Sequence, residues 1–255
     1  MRMNRLQGKI IWVTGASRGI GLATAWAVAQ AGGRVALSAR KQESLVDAAL
    51  AINLEYPETA QAFPCHVGRA MEIDETLSRI EDEMGRPDVL INNAGTSPYF
   101  GSFLDAPEAL WDKTFEVNLK GPFMATRAVA RRWLDTGGSG SIINIASIQG
   151  ALAAPLQGVY AMTKAALISM TQTMAHELGP AGIRVNAIAP GLVETRLASA
   201  LTDNPEFSKM YTERAALRRY GQPNEIAGAA VFLASEAASY LTGQVIAIDG
   251  GYTAI

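Results

Sequence analysis

The chain has 255 residues, of which 49% are hydrophobic and 18% charged, a composition that suits one large α/β domain. Its 22 basic and 24 acidic residues argue against a dedicated nucleic-acid surface, because such surfaces need clustered positive charge. No apolar run approaches the ~20 residues that span a bilayer, and Met1–Lys9 lacks the apolar stretch of a secretory signal. A single cysteine, Cys65, excludes an internal disulfide. We therefore expect a cytoplasmic protein without nucleic-acid or membrane partners.

Short apolar runs alternate with helical patterns along the chain. Six runs are predicted strands, namely Ile10–Thr14, Val35–Ser38, Val89–Asn92, Ser141–Ala146, Arg184–Ile188 and Val245–Ile248. Apolar residues at three- and four-residue spacing predict helices over Ile20–Ala31, Ile73–Met84, Trp111–Trp133 and Tyr160–Leu178. Continuous apolar strands are typical of parallel sheets, and strand–helix alternation predicts a doubly wound α/β fold with helices on both faces. Residues 192–219 lack a predicted strand and are richer in charge, which indicates an inserted lid rather than a second domain.

Three glycines, spaced Gly-x3-Gly-x-Gly, follow the first strand and open a helical pattern. Glycine permits a tight turn and a close approach of the backbone to a pyrophosphate, and the helix start offers free N–H groups to an anion. Any strand-to-helix turn can use glycine, but the position after the first strand of an alternating chain favours a dinucleotide site. The predicted contacts in this turn are Gly15, Ser17, Arg18, Gly19, Ile20 and Gly21.

The end of the second strand predicts which dinucleotide binds. An NAD site places an acid there, about 20 residues past the turn, to hold the ribose 2′-hydroxyl. This chain has Ser38-Ala39-Arg40 instead, and Arg18 approaches from the glycine turn. Guanidinium groups suit phosphate by their fork geometry and fixed charge. We therefore predict NADP(H) as the cofactor, although Arg40 also has a simpler interpretation as a surface loop residue.

Tyr160 and Lys164 lie four residues apart in a predicted helix, which puts both side chains on one face. A neighbouring ammonium favours the phenolate and brings the tyrosine pKa, ordinarily about 10, closer to neutrality, where acid–base catalysis is efficient. Ser147 follows a predicted strand, and parallel sheets place ligand sites at the carboxyl ends of strands. Asn118, in an otherwise apolar helix, reads on its own as a satisfied buried amide.

Together these motifs resemble the short-chain dehydrogenase/reductase family over essentially the whole chain. The resemblance rests on Thr14–Gly21, Asn92–Gly95, Asn118, Ser147, Tyr160-x3-Lys164, Pro190-Gly191, Asn224–Ala227 and Asp249–Gly251. It implies a single-domain Rossmann fold with about seven parallel strands, a small-molecule carbonyl or alcohol substrate, and a homotetramer.

The resemblance also implies a role for each matching residue. Tyr160 exchanges a proton with the substrate oxygen, Ser147 hydrogen-bonds that oxygen, Lys164 holds the nicotinamide ribose and lowers the Tyr160 pKa, and Asn118 anchors a water. Thr195 orients the nicotinamide carboxamide. Further residues of the cofactor groove are Asn92, Ala94, Gly95, Pro190, Gly191 and Val193.

One segment departs from the family pattern. Where the family has Asp-Val in contact with adenine, this chain has His66-Val67, so His66 is either an adenine contact or an ordinary loop histidine that fills the same space. This segment and others resemble the NADPH-dependent carbonyl/retinal reductase branch. The competing interpretations are a 3-oxoacyl-[acyl-carrier-protein] reductase and a non-catalytic NADP-binding regulator. The sequence offers no His-x3-His metal motif and no Gly-x-Ser-x-Gly elbow.

Several residues on loops near the predicted site are candidates for the substrate pocket. They are Ser97, Tyr99, Gln149, Leu152, Leu192 and Met210. Because several of these are apolar, we expect hydrophobic or aromatic ketones as substrates.

Overall fold

The protein is described by a computed structural model over residues 6–254; residues 1–5 and 255 of the predicted single domain lie outside this range. Seven strands in that range form one parallel sheet: β1 (Ile10–Thr14), β2 (Arg34–Ser38), β3 (Ala60–Ala62), β4 (Val89–Asn92), β5 (Gly140–Ile145), β6 (Ile183–Pro190) and β7 (Val245–Ile248). Their order in the sheet is β3-β2-β1-β4-β5-β6-β7.

The chain changes direction across the sheet at β1. This strand pairs with β2, where Ile10 lies opposite Arg34, and on its other side with β4, where Ile11 lies opposite Val89. The strands β2 and β3 therefore lie on one side of β1, and the strands β4 to β7 lie on the other. In such open sheets a crevice forms outside the carboxyl ends of the strands at the point of reversal.

Helices connect the strands and cover both faces. They are α1 (Gly19–Gln30), α2 (Gln42–Glu55), α3 (Ala70–Glu83), α4 (Glu108–Phe115), α5 (Gly121–Asp135), α6 (Gly158–Leu178), α7 (Ser199–Thr202), α8 (Pro205–Arg214) and α9 (Pro223–Ala234). Apolar side chains of α1, α2 and α9 form a core on one face of the sheet, and those of α3, α5 and α6 form a second core on the other. The doubly wound single-domain fold predicted from the sequence is thereby confirmed.

Two details differ from the sequence prediction. The strand β3 has three residues and was not among the six predicted runs. The continuous helix predicted over Trp111–Trp133 is divided, because residues Glu116–Lys120 form a π-helical turn between α4 and α5. Residues 192–219 hold α7 and α8 and contain no strand. Nowhere in the part of the chain that the structure describes is a helix both long and apolar enough to cross a membrane.

Candidate active site

A cavity of about 890 Å³ opens at the carboxyl ends of the central strands. Its wall includes the turn between β1 and α1, the segments that follow β4, β5 and β6, the start of α6, and α8 of the 192–219 insertion. This is the place where open α/β sheets bind ligands, and it is large enough for a dinucleotide together with a small substrate.

The glycine turn is packed directly against the segment that follows β4. A Cβ atom on Gly15, whose φ is +66°, would lie 2.8 Å from Ala94 Cα and 2.9 Å from Asn93 Nδ2. Asn93 Nδ2 donates to the carbonyl oxygens of Thr14 and Gly15 at 2.8 and 3.1 Å. The Thr14 hydroxyl in turn accepts from the Asn93 and Ala94 N–H groups at 3.0 and 3.1 Å. Only glycine fits here, and the turn is held open as a backbone cradle.

Two arginines lie on the cavity wall beside this cradle. Arg18 belongs to the turn, and Arg40 lies two residues beyond the end of β2. Both are exposed, and among residues 6–254 no carboxylate lies within 4 Å of either guanidinium. The position where an NAD site would carry an acid therefore presents positive charge.

His66 lies on the same wall in a small network of charged groups. Its Nδ1 accepts from the Gly68 N–H at 3.1 Å, and its Nε2 lies 3.3 Å from Lys113 Nζ. Lys113 is held by Glu116 at 2.8 Å. Burial, followed by the positive charge of Lys113, lowers the pKa of His66. The lowered pKa favours the neutral form of the ring.

Tyr160, Ser147 and Lys164 share the central part of the wall. Lys164 Nζ lies 5.5 Å from the centre of the Tyr160 ring and donates to the Ile145 carbonyl at 2.7 Å. Ser147 accepts from the Gln149 N–H at 3.2 Å, which fixes it at the end of β5. The helix spacing and the strand-end rule thus bring the three side chains together.

Burial controls the acid–base properties of this group. It raises the pKa of Tyr160 to about 12, with a hydrogen bond from Ser147 acting in the opposite direction. It also lowers the pKa of Lys164 to about 8. The helical spacing predicts that the lysine lowers the tyrosine pKa, whereas burial, which spacing does not reveal, disfavours the charged form of both groups. In this state Tyr160 is a protonated phenol, ready to donate.

Asn118 lies behind this group on the π-helical turn rather than on the cavity wall. Its Nδ2 donates to the Thr96 carbonyl at 2.8 Å and to the Thr163 hydroxyl at 3.1 Å, while its Oδ1 accepts from the Thr96 N–H at 2.8 Å. A Cβ on Gly95 would lie 3.6 Å from Asn118 Oδ1 and 3.8 Å from Lys164 Nζ. The π-turn, a feature frequent at functional sites, thus carries an amide whose hydrogen bonds tie the segment after β4 to α6.

The segment after β6 closes one side of the cavity. Gly191 leaves no room for a side chain, since a Cβ there would lie 2.8 Å from Asp249 Cα. The Leu192 N–H donates to the Tyr211 hydroxyl of α8 at 2.7 Å. Further along, the methyl group of Thr195 lies 3.4 Å from the position of a Cβ on Gly19. The insertion therefore begins directly above the glycine turn.

Most of the predicted site residues lie on this one wall. They are Gly15, Ser17, Arg18, Gly19, Ile20, Arg40, His66, Val67, Ala94, Gly95, Ser97, Ser147, Gln149, Leu152, Tyr160, Lys164, Pro190, Gly191, Leu192, Val193, Thr195 and Met210.

Four predicted residues do not line the cavity. Gly21 packs under the turn against Asn93, and Asn118 is buried behind the wall. Asn92 points into the protein, where its Nδ2 donates to Asn144 at 2.9 Å and to Thr126 at 3.1 Å. Tyr99 donates to the Ser102 carbonyl at 2.8 Å. Strand residues alternate in direction, so the neighbour of Asn92 takes the position on the cavity.

Other residues of the wall were not predicted from the sequence. Asn93, Lys113, Arg196, Phe207, Tyr211, Arg214 and Tyr252 belong to this group. Asn93 lies within the Asn92–Gly95 motif of the sequence. Because neighbouring residues of a strand face opposite sides, its place next to the inward-facing Asn92 is the signal that could have predicted it. The residues from α8 and the C-terminal segment reach the site through tertiary packing. Within the described range, no three His, Cys, Asp or Glu side chains cluster closely enough to hold a metal ion.

Comparisons with known proteins agree with this geometry. A family model described as enoyl-(acyl carrier protein) reductase matches residues 15–253. Dehydrogenase/reductase SDR family member 4 of Homo sapiens is 37% identical over 98% of this chain and 89% of its own length. A 3-oxoacyl-[acyl-carrier-protein] reductase of Synechocystis is 38% identical over 98% of both chains.

Solved structures match just as completely. The crystal structure of a gluconate 5-dehydrogenase from Burkholderia cenocepacia, in complex with NADP and tartrate, has a TM-score of 0.94 and 35% identity. The match covers 99% of this chain and 98% of that one. A short-chain type dehydrogenase/reductase from Mycobacterium marinum matches with the same TM-score and identity.

Proposed function

Because this chain belongs to the short-chain dehydrogenase/reductase family and is an oxidoreductase of that family, we propose that it reduces a ketone or aldehyde with NADPH. In reverse it oxidises a secondary alcohol with NADP⁺. One observation carries the proposal: Tyr160, Ser147 and Lys164 lie on the same cavity wall as the glycine turn. A dinucleotide on that turn and a substrate beside Tyr160 would share one enclosed space.

The residues of the site fit NADP(H). Gly15 and Gly19, both with positive φ, keep side chains out of the cradle at the start of α1. The helix start would hold the diphosphate with its N–H groups, and Arg18 and Arg40 would hold the 2′-phosphate. Gluconate 5-dehydrogenase, 35% identical, was solved with NADP, which supports this cofactor. When bound, the nicotinamide supplies the hydride, or accepts it in the reverse direction.

The side chains of this chain would manage the proton. Tyr160, a neutral phenol in its buried setting, would donate its proton to the carbonyl oxygen as that oxygen gains negative charge. Ser147 would hydrogen-bond the same oxygen and hold it in position. Lys164 would place a positive charge close to the phenolate that forms, and Asn118 would orient the groups behind it. Each role is a general acid–base or electrostatic function that the geometry permits.

A second candidate is reduction of a 3-oxoacyl group on a carrier protein. It is favoured by the Synechocystis reductase, which is 38% identical to this chain. The chemistry at Tyr160 would be the same, and the difference lies in how the substrate arrives. A non-catalytic NADP-binding regulator is less well supported, since Tyr160, Ser147 and Lys164 are all present and close together. As in the sequence analysis, we propose a cytoplasmic homotetramer.

A substrate panel tests the proposal. NADPH and NADH oxidation would be followed at 340 nm with simple ketones, 1,2-diones, retinal and acetoacetyl thioesters. The proposal expects turnover of at least one free carbonyl compound with NADPH. Turnover of the thioester alone would favour the carrier-linked alternative, and tight NADPH binding without turnover of any compound would favour the regulator.

A further inference from the structure

Two glutamines are joined by a hydrogen bond on the cavity wall, next to the catalytic group. Gln149 and Gln157 both line the cavity, and Gln149 Nε2 donates to Gln157 Oε1 at 2.5 Å. Both residues are half-buried. The proton transfer proposed above uses Ser147, Tyr160 and Lys164 and gives these two amides no part. Their place on the wall therefore calls for a separate explanation.

Each glutamine lies next to one of the two side chains that would hold the substrate oxygen. The Gln149 N–H donates to the Ser147 hydroxyl at 3.2 Å, and Ser147 is itself hydrogen-bonded to Tyr160. Gln157 directly precedes α6, and its carbonyl accepts from the Ala161 N–H at 2.9 Å. It therefore lies one helical turn before Tyr160, on the same side of the helix. The amide pair thus flanks the place where the substrate carbonyl would bind.

The bond between the two amides leaves most of their polar groups available. A primary amide has two N–H donors and a carbonyl acceptor, and this bond uses one N–H of Gln149 and the oxygen of Gln157. Within residues 6–254, neither side chain makes another hydrogen bond to the protein. One carbonyl and several N–H groups therefore remain for a molecule in the cavity. Turning both amides by 180° reverses the bond and leaves the same kinds of group.

The same hydrogen bond joins the two ends of the loop over residues 149–157. Near the end of this loop Leu156 has a φ of +65°, a region that favours glycine, and its carbonyl accepts from the Gly101 N–H at 2.9 Å. The two amides are therefore fixed by each other and by the loop that carries them. Polar groups that are already fixed lose little conformational entropy when they bind a ligand.

We propose that Gln149 and Gln157 select a hydroxy ketone, or in reverse a diol, whose hydroxyl lies one or two carbons from the reacting carbonyl. The inference rests on the proposed function, because that carbonyl would bind at Ser147 and Tyr160. A hydroxyl is a donor and an acceptor at once, so it would donate to the free amide carbonyl and accept from an amide N–H. A plain ketone would cover these groups without satisfying them, which lowers its affinity.

Matched hydroxy ketones, methyl ethers and plain ketones test this proposal. One series is acetoin, its methyl ether and butanone; the others start from 4-hydroxy-2-butanone and from α-hydroxyacetophenone. The ether keeps the oxygen and removes the donor, and the plain ketone removes both. Turnover with NADPH gives kcat/KM, and calorimetry gives the affinity of each compound for the enzyme–NADP⁺ complex.

The variants are Gln149→Met and Gln157→Met, which keep the length of the side chain and remove the amide. The matched control is Gln61→Met on β3, outside the cavity wall, where the lost amide donates to Glu83. Circular dichroism and an NADPH titration show whether each variant is folded.

We expect at least one hydroxy ketone to exceed both its ether and its plain ketone about fivefold or more in affinity and kcat/KM, the size of a neutral hydrogen bond. Each glutamine variant should remove most of this preference, and Gln61→Met should keep it. Equal affinity within every series, or a preference that survives in either glutamine variant, would overturn the proposal.

The ratio between compounds also separates recognition from a purely structural role. If the amide bond only held the loop, the variants would weaken all three compounds of a series alike, and the unchanged ratio would count against the proposal. Because calorimetry measures binding without turnover, failure of the proposed reductase function would leave this result readable.

Discussion

Arg40 is the side chain on which the proposed preference for NADPH depends most. It lies on the cavity wall without a carboxylate partner among residues 6–254. Arg40→Ala should lower kcat/KM for NADPH about tenfold or more, the cost of a lost charge-assisted contact, and should leave the value for NADH nearly unchanged. The matched control is Lys41→Ala, the next residue, which is exposed and off the wall. If Arg40→Ala left the ratio of kcat/KM for NADPH to that for NADH unchanged, the assignment of Arg40 to the 2′-phosphate would be contradicted.

Lys164 should destabilise the folded protein at neutral pH. Burial lowers its pKa from 10.5 to about 8, so between these values the unfolded chain binds a proton that the folded chain does not. Its contribution to the free energy of unfolding should therefore rise as pH increases from 8 to 10.5. Below pH 8 its full cost remains, up to about 3 kcal/mol for a shift of this size.

Lys164→Met keeps the length of the side chain and removes the charge. Urea unfolding should show this variant to be more stable than the parent at pH 7, with a gap that narrows toward pH 9.5. Tyr160→Phe serves as the control, because the raised pKa of that phenol affects stability only above pH 10. A Lys164→Met protein that is less stable at pH 7 would show that the bond to the Ile145 carbonyl outweighs the burial cost.

At the level of single residues, the sequence predicted positions well and environments poorly. Spacing alone placed Tyr160 and Lys164 on one face, and Ser147 at a strand end next to them. Spacing carries no information on burial, which raises the pKa of Tyr160 to about 12 and so opposes the lowering by Lys164 that the sequence predicts. The sequence predicts that Asn92 lines the cofactor groove. Neighbouring residues of a strand face opposite sides, and Asn92 faces into the protein. Its neighbour Asn93 hydrogen-bonds to the glycine turn instead.

Among the elements, the insertion over residues 192–219 is the one that we expect to respond to the cofactor. The methyl group of Thr195 lies 3.4 Å from the position of a Cβ on Gly19. Arg196 follows Thr195 on the cavity wall, with no carboxylate within 4 Å in the part of the chain described. We expect Arg196 to contact the cofactor diphosphate and so to fix the insertion over the bound cofactor.

Arg196→Gln should weaken NADPH binding about tenfold, and it should leave the binding of adenosine 2′-monophosphate, which lacks the diphosphate, unchanged. Tryptophan fluorescence gives both dissociation constants. NADPH should also slow tryptic cleavage of the insertion in the parent and less so in the variant. The control is Lys209→Gln, an exposed change on α8 that should bind NADPH like the parent. If Arg196→Gln also bound NADPH as tightly as the parent, a contact between Arg196 and the diphosphate would be excluded.

Elements with strong patterns were predicted and weak ones were missed. The strands β1, β4 and β5 are buried almost throughout, which is why they read as continuous apolar runs. The strand β3, Ala60–Ala62, lies at the sheet edge and has three residues, too few for a pattern. The π-turn at Glu116–Lys120 adds one residue to a helical turn without changing its apolar spacing noticeably. That Asn118 lies on this turn is visible only in the structure.

At the scale of the whole molecule, two surfaces support the proposed homotetramer. The outward face of α5 exposes Phe123 and Leu134, at 41% and 48%, and Arg127 lies over the Phe123 ring at 5.4 Å. The other surface is the edge strand β7, whose residues are only partly covered in the single chain. Apolar surface of this kind is typical of an interface between symmetric copies.

Sedimentation equilibrium should give a mass of four 27.1 kDa chains at micromolar concentration. Phe123→Glu should reduce the assembly to smaller species, because it places a charge in the expected contact. The control is Arg79→Glu, which introduces a glutamate at an exposed position of α3 instead of α5. This variant should keep the mass of the parent assembly. A parent protein that sediments as a stable monomer would refute the tetramer.

Tyr160, as the proton donor, is the residue on which the proposed mechanism depends most. Tyr160→Phe removes one hydroxyl and keeps the ring, so folding and NADPH binding should persist. General acid catalysis is typically worth about 10²–10⁴-fold, and kcat on the best substrate should fall by at least that range. The deciding measurement is steady-state kinetics of this variant, after circular dichroism and an NADPH titration have shown it to be folded and to bind cofactor. A kcat near that of the parent would contradict the proposed mechanism.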